Sequence, residues 1–494
     1  MRTMMTTRRD WFKGLVATIG LDAVGGGRFL FAAPPGWMPG ATPASALTAG
    51  HRPPNLILGV ISDTHLRTNH AGKKDSRYTD RHFISALRLF READVDAVVH
   101  CGDMAHCGQL EEMQFHADAW QKVFPGDKGK SGRKVERLFV SGNHDLEASE
   151  YGIGSLVKRL YPDEEERSRH LLSSDIAGNW ERIWGEPYER AWHRTVKGYH
   201  FFGRHWGVPD DEYEDVIRGE WPCGGDAAAH TCVFLMSHRP PKSTLRTLLR
   251  RRCRETDANA VFFSGHHHLT SANWNMATMF NESGPLACLS CPACFSSRGD
   301  NHVGWNDSDI ARVPISGGKD VPKGPGRECY IVKVSDDRVE IERHEVSHGG
   351  LIGANWVLPL GWKEDEHPFS RAELKKIVGT PQFAKNAKLT VERVKLESGE
   401  DAVRLSIPLA DGNPDSRVYA YEIVVAGEEG APKLFKAVYA NGLNMGMGHE
   451  PQDGVTTLRI PASELPPGTE RAVAVRPLSS LGTSGGAVAA KYTT

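Results

Sequence analysis

Hydrophobic residues in the stretch from Asn55 to about Ser347 form short apolar runs that alternate with helical periods. The run Leu56–Ile61 is apolar and ends in polar residues, as expected for a buried strand. Residues 79–92 place Phe83, Leu87 and Phe90 on one side of a predicted helix. The pattern predicts further strands at 95–100, 135–140, 233–236 and 261–263, helices at 110–123 and 243–254, and a hairpin of 330–334 with 339–346. Strands that alternate with helices indicate an α/β domain with a partly parallel sheet.

Two other parts of the chain have a different pattern. Residues 146–200 carry charged runs such as 163–167, which favour a solvated insertion. From about Ala387, short alternating runs separated by turn-forming residues predict an all-β sandwich. Its end, with 465–469 before a strand and then 479–482, resembles a fibronectin type III domain, which implies an immunoglobulin-like fold. No residue there indicates catalysis, so we expect a spacer or docking role.

The N-terminus pairs Arg8 with Arg9, followed by Phe12, Lys13 and a weakly apolar stretch over 14–33. This order resembles a twin-arginine export signal, and a disordered basic tail is the alternative. The resemblance implies an exported protein, periplasmic or extracellular in a bacterium.

Composition narrows the class of protein. The chain has 494 residues, which suggests roughly two to four domains, and 39% hydrophobic with 25% charged residues is typical of a globular protein. No apolar run reaches about 18 residues, so no transmembrane helix is expected. The 60 basic and 62 acidic residues nearly cancel and reveal no nucleic-acid patch.

Nine cysteines are present, and Cys288, Cys291 and Cys294 form a C-x2-C-x2-C run. Such a run is compatible with a soft-metal site or with small residues on a buried strand. We favour the buried strand, because no fourth ligand with fitting spacing is evident.

Five polar motifs each follow a predicted strand: 63–65 (D-T-H), 102–103 (G-D), 142–145 (G-N-H-D), 237–240 (S-H-R-P) and 265–268 (G-H-H-H). The carboxyl ends of strands are where open α/β sheets bind ligands, so we expect these motifs to converge. Their carboxylate, amide and imidazole donors suit Mn, Fe or Zn, and two such ions roughly 3.5–4 Å apart stabilise a displacement at phosphorus. Each motif is weak alone, and a lone histidine is more often a packed residue. All five in order make chance improbable.

The series D-x-H, G-D, G-N-H-D, H and G-H-x-H resembles the calcineurin-like metallophosphoesterase superfamily, over about residues 55–350. The resemblance implies a four-layer α/β/β/α sandwich and a hydrolase acting on phosphoric ester bonds. It also implies a dinuclear centre of two divalent metal ions (Mn, Fe or Zn), with a metal-activated water as nucleophile.

The resemblance further implies the role of each site residue. His144 would not bind metal but would contact the substrate phosphate or donate a proton to the leaving oxygen, and Asp145 would orient His144. The implied ligands are Asp63, His65 and His268 for the first metal, Asn143, His238 and His266 for the second, and Asp103 as the bridge between them.

The motifs of this chain differ from those of two related groups of phosphatases, so the activities of those groups are not expected here. Purple acid phosphatases carry D-x-G in the first motif and a tyrosine three residues after the bridging Asp, where this chain has His65 and His106. Protein Ser/Thr phosphatases carry an arginine where this chain has Cys107. His106 and His267 are expected beside the ligands or at the surface rather than on a metal. Arg239 and Arg204 either contact substrate phosphate or are solvated.

The predicted division is 1–54 (export signal and linker), 55–349 (catalytic domain), 350–386 (linker) and 387–494 (β-sandwich). The favoured function is a phosphomonoesterase or phosphodiesterase acting on a small or macromolecular phosphoester. The alternative is a non-catalytic scaffold of the same fold at the cell surface. The complete ligand set and His144 favour the enzyme, whereas the loops 146–220 and 296–328, the latter with Asn301, His302 and Trp305, carry no motif that identifies the substrate.

Overall fold

The computed structural model describes most of the chain after residue 52. The predicted export signal and the residues Asn301, His302 and Trp305 lie outside the described part. No described helix is long and apolar enough to span a membrane. The described residues are 53–67, 81–146, 154–222, 232–268, 271, 284–294, 327–346, 351–352, 355–362, 367–411, 418, 420–426, 432–439, 455–465, 471–479, 481 and 483–493.

Strands and helices alternate up to about residue 290, and strands dominate afterwards. In chain order the described elements are β1 (Leu56–Ile61), α1 (Arg81–Glu92), β2 (Ala97–Cys101), α2 (Leu110–Val123), β3 (Glu136–Val140), α3 (Asn143–Leu146), α4 (Gly154–Leu160), α5 (Glu164–Arg169), α6 (Ile176–Trp184), β4 (Ala191–Val196), β5 (Tyr199–Arg204), α7 (Asp210–Glu220), β6 (Cys232–Ser237), α8 (Ser243–Thr256), β7 (Asn259–Ser264), β8 (Leu286–Ser290), β9 (Glu328–Val334), β10 (Arg338–Glu345), β11 (Trp356–Pro359), α9 (Arg371–Val378), β12 (Gln382–Phe383), β13 (Thr390–Lys395), β14 (Asp401–Pro408), β15 (Ala410–Asp411), β16 (Ala420–Ala426), β17 (Pro432–Tyr439), β18 (Val455–Pro461), β19 (Arg471–Leu478) and β20 (Val488–Tyr492).

The first sheet has the strand order β11-β10-β9-β1-β2-β3. Strands β1, β2 and β3 run parallel, and the predicted hairpin β9–β10 pairs antiparallel against β1. Strand β11 pairs with β10, and α9 contributes Leu374 and Val378 to the same core. Both elements lie within residues 350–386, the segment predicted to be a linker between the two domains.

The second sheet has the order β4-β5-β6-β7-β8, in which β5 to β8 are parallel and β4 is antiparallel. Its first strand lies in residues 146–200, so the interpretation of that segment as a solvated insertion is wrong. Trp180, Trp184 and Trp192 are all buried there. Most charged residues of α5 and α6 are exposed, so the sequence of this segment looks solvated although one side of it is buried.

The two sheets pack face to face with helices outside. Alternate residues Leu56, Leu58 and Val60 of β1 enter the core between the sheets, together with residues of β5, β6 and β7. Helices α1 and α2 cover the other face of the first sheet, and α7 and α8 cover that of the second. Strands buried on both faces read as continuous apolar runs, which is why the sequence predicts this mixed α/β architecture correctly.

Among the described residues after about 380, β12 and β15 form a two-stranded sheet, and the other strands form two larger sheets, β13-β14-β18 and β17-β16-β19-β20. They share one apolar core, to which β14, β16, β18 and β19 all contribute. Each alternating run predicted in this region overlaps one of these strands. The region is therefore strand-rich, as an all-β domain requires.

The three cysteines of the C-x2-C-x2-C run are separated by the fold. Cys288, Cys291 and Cys294 are buried, and each lies in a different apolar cluster. Only Cys288 lies on the strand, β8, and the other two cysteines follow it. Because the three lie in different clusters, their placement does not form a joint metal site.

Candidate metal centre

The five sequence motifs lie at the carboxyl ends of β1, β2, β3, β6 and β7. Within each sheet these strands are parallel neighbours, so their ends meet at one edge. The loops after β1 and β2 run side by side, because the backbone N–H of Asp63 donates to Gly102 O and that of His65 donates to Asp103 O, both at 3.0 Å. The backbone therefore brings distant motifs together before any side chain is considered.

The backbone at the predicted ligands is strained. Positive φ is rare for residues other than glycine and costs about 1–3 kcal/mol at such positions. The affected residues are Asp63 (φ 50°), His65 (45°), Asp103 (55°), His266 (74°) and His268 (52°).

The first donor group consists of Asp63, His65 and His268. His268 Nε2 lies 3.2 Å from Asp63 Oδ1 and 3.1 Å from His65 Nε2. With Asp103 included, one donor atom of each residue lies within 4.8 Å of the others. Asp63 and His65 are buried. The three residues assigned to the first metal therefore converge.

The second donor group consists of Asn143, His238 and His266. Asn143 Oδ1 lies 3.0 Å from His238 Nε2 and 2.9 Å from His266 Nδ1. The two histidine nitrogens are themselves 3.3 Å apart. His238 Nδ1–H donates to Cys101 O at 2.7 Å, so Nε2 is the nitrogen that faces the other donors.

Asp103 joins the two groups through a single oxygen. Its Oδ2 lies 3.1 Å from His238 Nε2 and 3.7 Å from His65 Nε2, and so faces one nitrogen of each group. Its other oxygen, Oδ1, accepts the backbone N–H of His144 at 2.8 Å. This hydrogen bond fixes the carboxylate so that Oδ2 points between the groups.

Burial and neighbouring charges both shift the pKa values of side chains at this centre. Burial alone would lower the pKa of His238, but the Asp103 and Asp63 carboxylates outweigh burial and raise it to about 9. Burial and the nearby Asp103 carboxylate raise the pKa of Asp145 to about 7. The cluster thus holds two buried carboxylates, Asp63 and Asp103, that need positive charge beside them.

Two glycines keep the loops close together. A Cβ atom at Gly142 would lie 2.2 Å from Asp103 Oδ1, and one at Gly265 would lie 2.0 Å from Ser62 Oγ. Both distances are impossible for real atoms. These positions therefore require glycine if the bridge carboxylate and the Asp63 loop are to keep their places.

His144 lies beside the first donor group, with its ring centroid 4.6 Å from that of His65. Its Nδ1–H donates to His106 O at 2.8 Å, which leaves Nε2 available to a substrate. The sequence predicts that Asp145 orients His144, but the structure differs. Both Asp145 oxygens accept backbone N–H groups, from Ala105 at 2.7 Å and Gly142 at 2.8 Å. Asp145 therefore ties the second loop to the third, and the carbonyl of His106 holds the His144 ring.

A buried pair that sequence reasoning missed connects the first two loops. His100 Nδ1 accepts the Gly102 N–H, and its Nε2 lies 3.2 Å from Thr64 Oγ1, whose hydroxyl donates to Met104 O. Burial lowers the pKa of His100 to about 3, so the ring is neutral and carries its single proton on Nε2. A histidine inside the apolar run 97–101 was the available signal.

The other polar residues singled out in the sequence take different places. Arg204 is buried and paired with Asp210, whereas Arg239 is exposed and lies over Trp206. His106 is mostly buried next to His144, with ring centroids 5.6 Å apart. His267 lies beside His266, with centroids 5.3 Å apart. Trp206, which borders the second donor group, was not singled out in the sequence.

The donor set fits divalent metal ions. Carboxylate, amide and imidazole donors from five separate loops meet within hydrogen-bonding distance of one another, and most are buried. Such mixed oxygen and nitrogen donors suit Mn, Fe or Zn. Buried like-charged carboxylates that face several histidine nitrogens are the arrangement that a bound cation stabilises.

Residues 57–269 match the model of the calcineurin-like phosphoesterase family. These residues include every predicted ligand and His144, so the part of the chain that resembles this family is the part that carries the candidate metal centre. A search of curated proteins finds no match to the sequence.

Several solved structures resemble the chain at low identity. A dimetal phosphatase from Danio rerio is 12% identical with a TM-score of 0.31, over 62% of this chain and 99% of that chain. A purple acid phosphatase from yellow lupin is 12% identical with a TM-score of 0.36, over 62% of this chain and 53% of that chain. A predicted phosphoesterase from Streptococcus pneumoniae is 13% identical with a TM-score of 0.26, over 62% of this chain and 97% of that chain. These low values do not transfer an activity to this chain.

Proposed function

We propose that this calcineurin-like phosphoesterase domain hydrolyses phosphate esters with two divalent metal ions held by seven residues. The observation that carries the proposal is the position of Asp103 Oδ2, which faces His238 Nε2 at 3.1 Å and His65 Nε2 at 3.7 Å. One carboxylate oxygen between two histidine-rich donor groups is the arrangement that a bridged metal pair requires.

The chain's own residues supply binding and proton transfer in this proposal. The first metal would be held by Asp63, His65 and His268, the second by Asn143, His238 and His266, with Asp103 shared. When bound, such a pair lowers the pKa of water and stabilises charge on the phosphate oxygens.

His144 completes the proposed mechanism. It stands at the first donor group and is only partly buried, so its Nε2 reaches the space a substrate would enter. From there it donates a proton to the leaving oxygen. Its Nδ1–H bond to His106 O keeps the ring in one orientation during this transfer.

We further propose that the chain is exported and that its C-terminal strands form a fibronectin type III-like sandwich that spaces or docks the enzyme. The paired arginines Arg8 and Arg9 and the shared core of the two C-terminal sheets support these proposals. N-terminal sequencing of the protein recovered from the periplasm tests export, and an intact Met1 on that material would contradict signal cleavage.

Metal content coupled to activity tests the proposed function. The purified chain is stripped with a chelator, reloaded with Mn, Fe or Zn, and assayed on p-nitrophenyl phosphate and bis(p-nitrophenyl) phosphate. We expect about two metals per chain by elemental analysis and hydrolysis that returns only on reloading. Absence of both metals and turnover after reloading would contradict the enzyme and favour the non-catalytic scaffold.

A further inference from the structure

We propose that Arg239 and Trp206 form an anion subsite beside the metal centre, selecting phosphoesters with a second negative charge near the scissile phosphate. This inference rests on the proposed phosphoesterase function, because it assigns the substrate class of that same site.

Trp206 borders the second donor group. It follows β5 closely, and its backbone N–H contacts both the carbonyl and the hydroxyl oxygen of Ser141 at 3.2 Å. Ser141 itself lies two residues before Asn143. The indole ring centroid is 5.7 Å from that of His238 and 5.8 Å from that of His266. An apolar plane therefore stands directly against two of the proposed ligands.

Arg239 lies on the indole. It directly follows His238, and its guanidinium carbon is 4.0 Å from the Trp206 ring centroid, which is within cation–π range. Its side chain is exposed. No carboxylate within the described residues forms an ion pair with it. Stacking fixes the guanidinium plane and leaves its N–H edge open to a ligand.

Arg204 provides the contrast within the same region. It is 8% exposed and its charge is neutralised by Asp210, which also pairs with Lys242 at 2.9 Å. Of the two arginines considered in the sequence, only Arg239 therefore keeps its charge for a ligand. A planar guanidinium binds phosphate or carboxylate through two parallel hydrogen bonds, so the ligand is an anion.

The place of the subsite separates it from the reacting phosphate. His144, the proposed proton donor, lies at the His65 side of the centre, whereas Trp206 borders His238 and His266. The Arg239 guanidinium packs on the Trp206 indole and therefore lies farther from those two ligands than the indole does. A substrate that reaches both places carries a second phosphate or a carboxylate outside the scissile group.

Binding of three small phosphonates tests the subsite without requiring turnover. The Mn-loaded full chain is titrated by calorimetry with methylphosphonate, methylenebisphosphonate and phosphonoacetate. In Arg239→Gln we expect the affinity advantage of methylenebisphosphonate over methylphosphonate to fall about tenfold, as for the loss of a charge-assisted hydrogen bond. The affinity for methylphosphonate itself should be unchanged. Arg239→Lys should give an intermediate loss of the advantage, because lysine keeps the charge but lacks the two parallel N–H donors of the guanidinium.

Control variants define the result. Arg393→Gln removes an exposed arginine from the C-terminal sheet and should leave all three affinities unchanged. Trp206→Leu should reduce the same advantage as Arg239→Gln, because the platform is lost. A parallel loss with phosphonoacetate identifies any anion as the ligand, whereas a loss confined to methylenebisphosphonate identifies a phosphate.

Two outcomes would overturn the subsite. One is an unchanged advantage in Arg239→Gln, and the other is an equal loss for methylphosphonate, which would place Arg239 on the scissile phosphate. Hydrolysis of bis(p-nitrophenyl) phosphate is measured on the same samples. Its absence from the metal-loaded wild-type chain counts against the proposed function, while the phosphonate ratio still decides the subsite.

Discussion

Replacing Thr64 with valine removes a buried hydroxyl and nearly preserves the shape of the side chain. Thr64 is 4% exposed and lies between two proposed ligands, Asp63 and His65. Its hydroxyl contacts His100 Nε2 and Met104 O, each at 3.2 Å. The substitution therefore leaves the buried His100 Nε2–H without an acceptor, whereas Met104 O keeps the Leu66 N–H at 2.9 Å. It touches no proposed metal ligand.

The magnitude follows from that one donor. A buried polar group that loses its partner costs about 1–3 kcal/mol, and bonds of this length belong to the weaker end of that range. We expect Thr64→Val to lower the free energy of unfolding of the metal-free protein by about 1 kcal/mol. Because Asp63 and His65 share this loop, we also expect metal affinity to fall about tenfold.

Urea unfolding followed by tryptophan fluorescence measures the first effect. All 12 tryptophans precede residue 363, so the signal reports on the catalytic region and not on the C-terminal sheets. The midpoint should shift with an unchanged slope against urea. Competition with a chromogenic chelator measures metal affinity. Thr195→Val, at an exposed position on β4, is the matched control and should change stability by less than about 0.5 kcal/mol.

A double-mutant cycle sharpens the test. Asparagine at position 100 keeps an acceptor for the Gly102 N–H but does not reach Thr64, so Thr64→Val should cost less than about 0.5 kcal/mol in the His100→Asn background. Equal costs in both backgrounds would show that Thr64 and His100 are not coupled. Stability and metal affinity of Thr64→Val equal to those of Thr195→Val would refute the proposed link between the loops.

Three further substitutions test the centre itself. Asp103→Ala should abolish binding of the metal pair, because both donor groups lose the oxygen they share; two tightly bound metals in that variant would refute the bridge, and the exposed Asp118→Ala is the control. His144→Ala should retain both metals and slow substrates with poor leaving groups most, so equal slowing across a series of aryl phosphates would argue against proton donation. Gly142→Ala should weaken metal binding at least tenfold, since its Cβ would lie 2.2 Å from Asp103 Oδ1, whereas Gly219→Ala, where a Cβ meets nothing within 4 Å, should not.

The sequence by itself determined the framework of this protein. Apolar runs such as Leu56–Ile61 that end in polar motifs are local signals, and the structure confirms the strands at these places. Because parallel strands present their carboxyl ends at one edge, their order alone predicted that the motifs would meet. The model of the calcineurin-like phosphoesterase family matches residues 57–269, in agreement with the resemblance of the motifs. The metal-binding roles of the individual residues stay predictions.

Only the tertiary structure decided how the site is supported. Three buried tryptophans in residues 176–192 contradict the solvated insertion, because each element there buries one side while its charges face outward. Likewise, β11 and α9 join the core from residues 350–386, the segment predicted to be a linker. Whether an element is buried in this way depends on the surface it packs against. The residues of the element itself do not reveal that surface.

The same limit applies to individual side chains. The sequence predicted Asp145 as the partner of His144, yet the ring is held by the His106 carbonyl and Asp145 accepts backbone N–H groups. It also gave no reason to separate Arg239 from Arg204, which differ only in the neighbours that the fold provides. Residue types and their order along strands are local features, so they can be read from the sequence. Hydrogen-bond partners and exposed charge depend on contacts between segments far apart in the chain, so only the folded chain determines them.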